Sequence, residues 1–126
     1  MLPILITVHL WLRWAVLFFG LLGATRLLVS RGRPDVVERA RRFDGALFVA
    51  ALDLNWLVGV RLLVLTRDFS PLGPRIGHGV LMTVAVAAAH VFRVRARRQP
   101  ERDFPLALSF LLPLLVVAAG HLFLPR

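Results

Sequence analysis

Long apolar runs alternate with short polar connections along this chain. Four runs stand out, at 2–29, 43–66, 76–92 and 104–125. A bilayer's hydrocarbon core, about 30 Å thick, needs about 20 mostly apolar residues in a helix, so each run predicts a transmembrane helix. Arg13 is the one charge in the first run before Arg26. The second run carries Asp44, Asp53 and Arg61, and the last two carry no formal charge. The first run lacks a basic opening and is too long for a signal peptide, so it reads as a membrane span. The connections are short. Ser30 to Pro34 breaks the first helix, and Asp35 is placed to cap a short helical turn. Two prolines and a glycine between Phe69 and Pro74 predict a turn. Gln99-Pro100 ends the third helix, and Pro113 predicts a kink in the fourth. The expected fold is all-α: one integral-membrane four-helix domain over 1–126, up-down-up-down, with spans 1 and 3 diagonal.

Composition agrees with this pattern. Of 126 residues, 58% are hydrophobic and 18% charged, with a mean hydropathy of +0.74. A small soluble domain cannot bury that much apolar surface, which argues against a soluble enzyme, and a disordered chain would be far more polar. The absence of cysteine excludes disulfides, iron–sulfur clusters and thiolate zinc sites. The net charge is +9, and every one of the sixteen cations is arginine. These arginines sit in blocks between apolar runs, which reads as membrane orientation and not as a nucleic-acid footprint. Arg26, Arg31, Arg33, Arg39, Arg41 and Arg42 flank the first connection, and Arg93, Arg95, Arg97, Arg98 and Arg102 the third. The opposite side holds Arg67, Arg75 and Arg126. The richer side is expected to be cytoplasmic, which puts both termini and the 67–75 loop outside, periplasmic if the cell is Gram-negative.

Ionisable residues inside a span are costly and therefore candidate functional groups. Helical rise puts His9, His78 and His121 at a common level, one to two turns below the outer surface, on three different helices. Neutral imidazole is a common metal ligand, and haem iron accepts one on each axial face. His9 and His78, on diagonal helices, are the expected axial pair, and His121 is a spare that could replace either, bond a propionate or line a quinone pocket. Taken singly, each histidine would read as a hydrogen-bonding group between helices. Gly20 and Gly23 lie on the His9 stripe of helix 1 and are expected to open a slot beneath it. Gly77 and Gly79 flank His78. His90 lies twelve residues down its helix from His78 with no histidine opposite, so a second haem is not expected; it reads as a packing residue beside Arg93. Arg13 and Asp53, both near mid-membrane on neighbouring helices, are expected to pair, with propionate neutralisation by Arg13 or a proton path through Asp53 as the functional alternatives. Arg61, nearer the histidine level, is the better candidate for a bidentate propionate contact, although it could equally snorkel to the surface. Trp11 and Trp14 lie beside His9, and Asn55 and Trp56 beside Asp53.

The stretch Val8-His-Leu-Trp-Leu-Arg-Trp14 resembles the His-x-x-Leu-Arg-Trp opening of small bacterial four-helix membrane proteins of a cytochrome-b-like kind. Arg42-Phe-Asp44, the polar-to-glycine segment from Asp53 to Gly59, and a histidine opening span 3 are similar too. The resemblance spans nearly the whole chain. It implies haem b held by His9 and His78, with electrons passing to or from a membrane quinone or other redox subunits. Gly77 stands where that pattern has an acidic residue, which removes the basis for a proton-linked role there. A more distant likeness is to copper-resistance membrane proteins with histidine-bearing spans. Two other readings stand beside the cytochrome. One is a transition-metal transport component that captures copper on the outer histidines, weakened by the lack of cysteine and of methionine clusters. The other is a non-catalytic structural subunit of a larger membrane complex. No nucleophile–base pair, phosphate loop or zinc-hydrolase spacing supports hydrolysis.

Overall fold

A computed structural model describes residues 1–67 and 73–122, with the side chains of His121 and Leu122 outside the description. The described residues are all helical or connecting. Helix α1 spans Leu2–Ser30, α2 Pro34–Arg39, α3 Gly45–Thr66, α4 Pro74–Arg98 and α5 Asp103–Leu122. Between α2 and α3, Ala40–Asp44 forms a π-helical segment, so Pro34–Thr66 runs as one 33-residue helix. Among the described residues four helices are long and apolar enough to cross a membrane, as in a multi-pass membrane protein.

Local chemistry explains the boundaries. Pro3, Pro34 and Pro74 each stand in the first helical turn, where a missing N–H costs nothing. The first long helix stops at Ser30 because Arg31 and Gly32 take left-handed backbone, φ 45° and 78°. Helix α3 stops the same way at Arg67, φ 52°. Helix α4 outlasts its apolar run, since arginines are good helix formers, and ends at Arg98 because Pro100 follows. Helix α5 continues through Pro113, which is fully buried. The turn expected between Phe69 and Pro74 and the end of the fourth run beyond Leu122 lie outside the described residues.

Consecutive long helices pack on one another, and α1 packs back on α5, whereas the diagonal pairs touch least. The α1–α3 and α4–α5 seams are the closest. Their core holds Val16, Phe48, Leu52, Ala85, Ala89, Leu106 and Phe110, with the Phe48 and Phe110 rings 5.6 Å apart. Gly20 and Gly23 belong to this packing, which corrects the expected slot beneath His9. A Cβ on Gly20 would stand 2.7 Å from Leu114 and 2.8 Å from Phe48, and one on Gly23 would run into the Phe110 ring. The space that these glycines make is filled by side chains of α3 and α5. Many large apolar residues of the four helices remain exposed, Trp11, Leu28, Val64, Val80 and Leu115 among them, as a lipid-facing surface requires.

Pairs of ionisable side chains tie separate helices together. Arg26 of α1 reaches the buried Asp44 of the π segment at 3.4 Å. Asp53 of α3 is joined to His90 of α4, with Nε2 3.0 and 3.1 Å from the two carboxylate oxygens. This overturns two expectations: Asp53 takes His90, not Arg13, and His90 is a bonding residue rather than packing beside Arg93. Asp53 points along the α3–α4 seam, where a long imidazole reaches it, while Arg13 stays on the α1 side with its guanidinium 5.5 Å from the Trp14 ring.

Candidate functional site: an apolar cavity between two histidines

The α3–α4 seam is looser than its neighbours, and there the bundle holds a cavity of about 250 Å³. Ile6 and His9 of α1 line it, with Asn55, Trp56, Gly59, Val60, Leu62, Leu63 and Thr66 of α3 and Arg75, His78, Gly79 and Met82 of α4. Helical spacing accounts for this set. Arg75, His78, Gly79 and Met82 fall at i, i+3, i+4 and i+7, and Asn55, Gly59, Leu62, Leu63 and Thr66 follow the same rule on α3. The walls are almost wholly apolar, so polar groups inside face a medium in which their interactions are strong.

His9 and His78 meet across this cavity, with ring centroids 6.4 Å apart and planes at 85°. His9 Nδ1 lies 3.2 Å from the Asn55 carbonyl oxygen. A carbonyl can only accept, so Nδ1 carries the proton and Nε2 keeps its lone pair for another partner. Gly59 makes room for this ring: a Cβ there would stand 3.2 Å from His9 Cε1. The His78 ring leans on α5, where a Cβ on Gly120 would stand 3.4 Å from its Nδ1. Gly77 and Gly79 have open space around the Cβ position. The room beside the histidines thus comes from Gly59 and Gly79, not from the glycines of α1.

Buried polar atoms near the cavity lack a hydrogen-bond partner among the described residues. One is Asn55 Oδ1, on a residue only 3% exposed that lines the cavity. Another is Arg13 Nε, one turn beyond His9 on α1. Such atoms are costly unless something satisfies them. Deeper along the α3–α4 seam, Trp56 Nε1 donates to Thr83 Oγ1 at 2.9 Å, which in turn donates to the Gly79 carbonyl at 2.8 Å.

The candidate residues divide clearly. His9 and His78 come together. Arg13 is half-buried beneath them but does not line the cavity, and Arg61 is exposed and faces away from it. Arg75 lines the mouth instead, a residue that charge counting treats only as part of an outer loop. Its spacing of three from His78 is the signal that puts it on the same face. The His121 side chain lies outside the described residues. Among the described residues no three His, Cys, Asp or Glu side chains gather as a metal centre. Comparison of the chain with protein-family models, with curated proteins and with solved structures gives no match.

Proposed function

We propose that this protein is a membrane b-type cytochrome in which His9 and His78 hold one haem, as the cytochrome-b-like resemblance implies. The observation that carries the reading is the histidine pair itself. Two imidazoles that would share one metal ion, each with a nitrogen about 2 Å from it, have ring centres within about 6.5 Å of each other. The separation of 6.4 Å fits that donor set. Bound there, haem iron would supply reversible one-electron transfer. The chain's own residues do the rest. The Asn55 carbonyl fixes the His9 tautomer and ring direction, as outer partners of metal-bound histidines do. Ile6, Leu62, Leu63 and Met82 exclude water. Arg75 at the mouth and Arg13 beneath His9 bring positive charge to a group that carries carboxylates. The arginine-rich end is assigned to the cytoplasm, which leaves both termini and this cavity on the outer side of a bacterial inner membrane.

A second reading is favoured by one observation. The orphaned Asn55 Oδ1, which lines the cavity, suits a ligand hydroxyl such as that of a quinol. A quinol head group is small enough for the cavity of about 250 Å³. The test is an absorption spectrum of protein purified in detergent after haem-supplemented expression. A low-spin haem b spectrum is expected, lost in His9→Ala and in His78→Ala but retained in His90→Ala. A colourless wild-type protein would end the cytochrome reading. Quenching of Trp56 fluorescence by a short-chain naphthoquinone, abolished by Asn55→Leu, would then establish the quinol site. Three-histidine capture of copper is tested in the same preparation by equilibrium dialysis.

A further inference from the structure

At the arginine-rich end a second hollow, of about 390 Å³, lies between the π segment and the C-terminal turn of α4, lined by Glu38, Arg41, Arg42, Arg97 and Pro100. Three guanidinium groups face one carboxylate. Arg41 is held rigidly within it: Nη1 donates to Glu38 at 3.0 Å and Nη2 to the Pro100 carbonyl at 2.9 Å, and its side chain is only 14% exposed. Its Nε is buried with no hydrogen-bond partner among the described residues. Arg42 and Arg97 are exposed beside it. The level of this hollow follows from the apolar pattern. Arg42 immediately precedes the run 43–66, and Arg97 lies just beyond the run 76–92, so the hollow opens where lipid headgroups meet the hydrocarbon.

We propose that this hollow binds the headgroup phosphate of an anionic phospholipid. The inference rests on the four helices spanning a membrane and is independent of what fills the histidine cavity. Basic hollows between helices at the cytoplasmic surface are suited to such headgroups. Arginine presents several donors to phosphate oxygens in fixed geometry. Arg41, already locked by its two bonds, loses little freedom when an acceptor reaches Nε. An anion in solution could use the same donors, but only a lipid places its phosphate at this level with its acyl chains beside the exposed apolar residues.

The experiment measures lipid retention by native mass spectrometry of protein in mixed micelles of phosphatidylglycerol and phosphatidylcholine. Each basic side chain near a membrane surface is worth about fivefold in affinity for anionic lipid, so losing two costs roughly twenty- to thirtyfold. The wild type should prefer phosphatidylglycerol, and Arg42→Gln/Arg97→Gln should lose most of that preference. Arg31→Gln/Arg102→Gln, which removes equal charge from exposed positions outside the hollow, should keep it. Far-UV circular dichroism of each variant checks that the helices are intact. Equal losses in both variants, or no preference in the wild type, would overturn the site. Displacement of the lipid by millimolar inorganic phosphate would overturn the lipid assignment in favour of a soluble anion.

Discussion

At the scale of single residues, four glycines show how the same atom count serves two purposes. Gly20 and Gly23 let Phe48, Phe110 and Leu114 close on α1, so they are packing positions. Gly59 and Gly79 leave room around two histidines, so they belong to the cavity. The two kinds predict opposite phenotypes. Gly23→Ala forces a methyl group into the fully buried Phe110 ring and should destabilise the fold by about 1–3 kcal/mol, read as a lower melting temperature in detergent. Gly59→Leu should abolish ligand binding while lowering the melting temperature less than Gly23→Ala, because the His9 ring that it displaces can shift into the open cavity. Loss of fold in Gly59→Leu, or unchanged stability in Gly23→Ala, would reverse these assignments. A periodicity argument sees only that glycines share a stripe. It does not see which neighbour fills the gap, and for that reason it puts the slot under His9 on the wrong helix.

At the scale of elements, the Asp53–His90 bond matters most. It ties α3 to α4 across the seam that opens into the cavity one to two turns further along. Both side chains are partly exposed, 36% and 51%, so the pair is not a deeply buried ion pair. Polar bonds between membrane helices average about 0.6 kcal/mol and reach about 1.7 kcal/mol. A double-mutant cycle of Asp53→Leu and His90→Leu, read from unfolding in detergent, should give coupling in that range. A cycle of Asp53→Leu with Arg13→Leu should give none. The partner choice was not legible in the sequence. Depth along a helix follows from residue count, but the direction of a side chain depends on rotation about each axis. The π segment Ala40–Asp44 adds to this rotation, since it advances the chain differently from an α-turn before α3 begins.

At the scale of the whole molecule, the arginine asymmetry and the absence of cysteine make orientation directly measurable. Single-cysteine variants of this cysteine-free chain carry one reactive thiol each. Gln99→Cys should resist a membrane-impermeant maleimide in intact cells and react after permeabilisation, whereas Arg67→Cys should react in both. The reverse pattern would invert the bundle and move the histidine cavity to the cytoplasmic side. The long helices, their approximate limits and the common level of His9 and His78 were determined by the sequence alone, because hydrocarbon thickness sets span length and helical rise sets depth. The tertiary structure alone decided which seam opens, that Arg75 rather than Arg61 reaches the cavity, and that Asp53 bonds His90. Those outcomes depend on how side chains of different helices fill or leave space between them, and one-dimensional spacing carries no record of that.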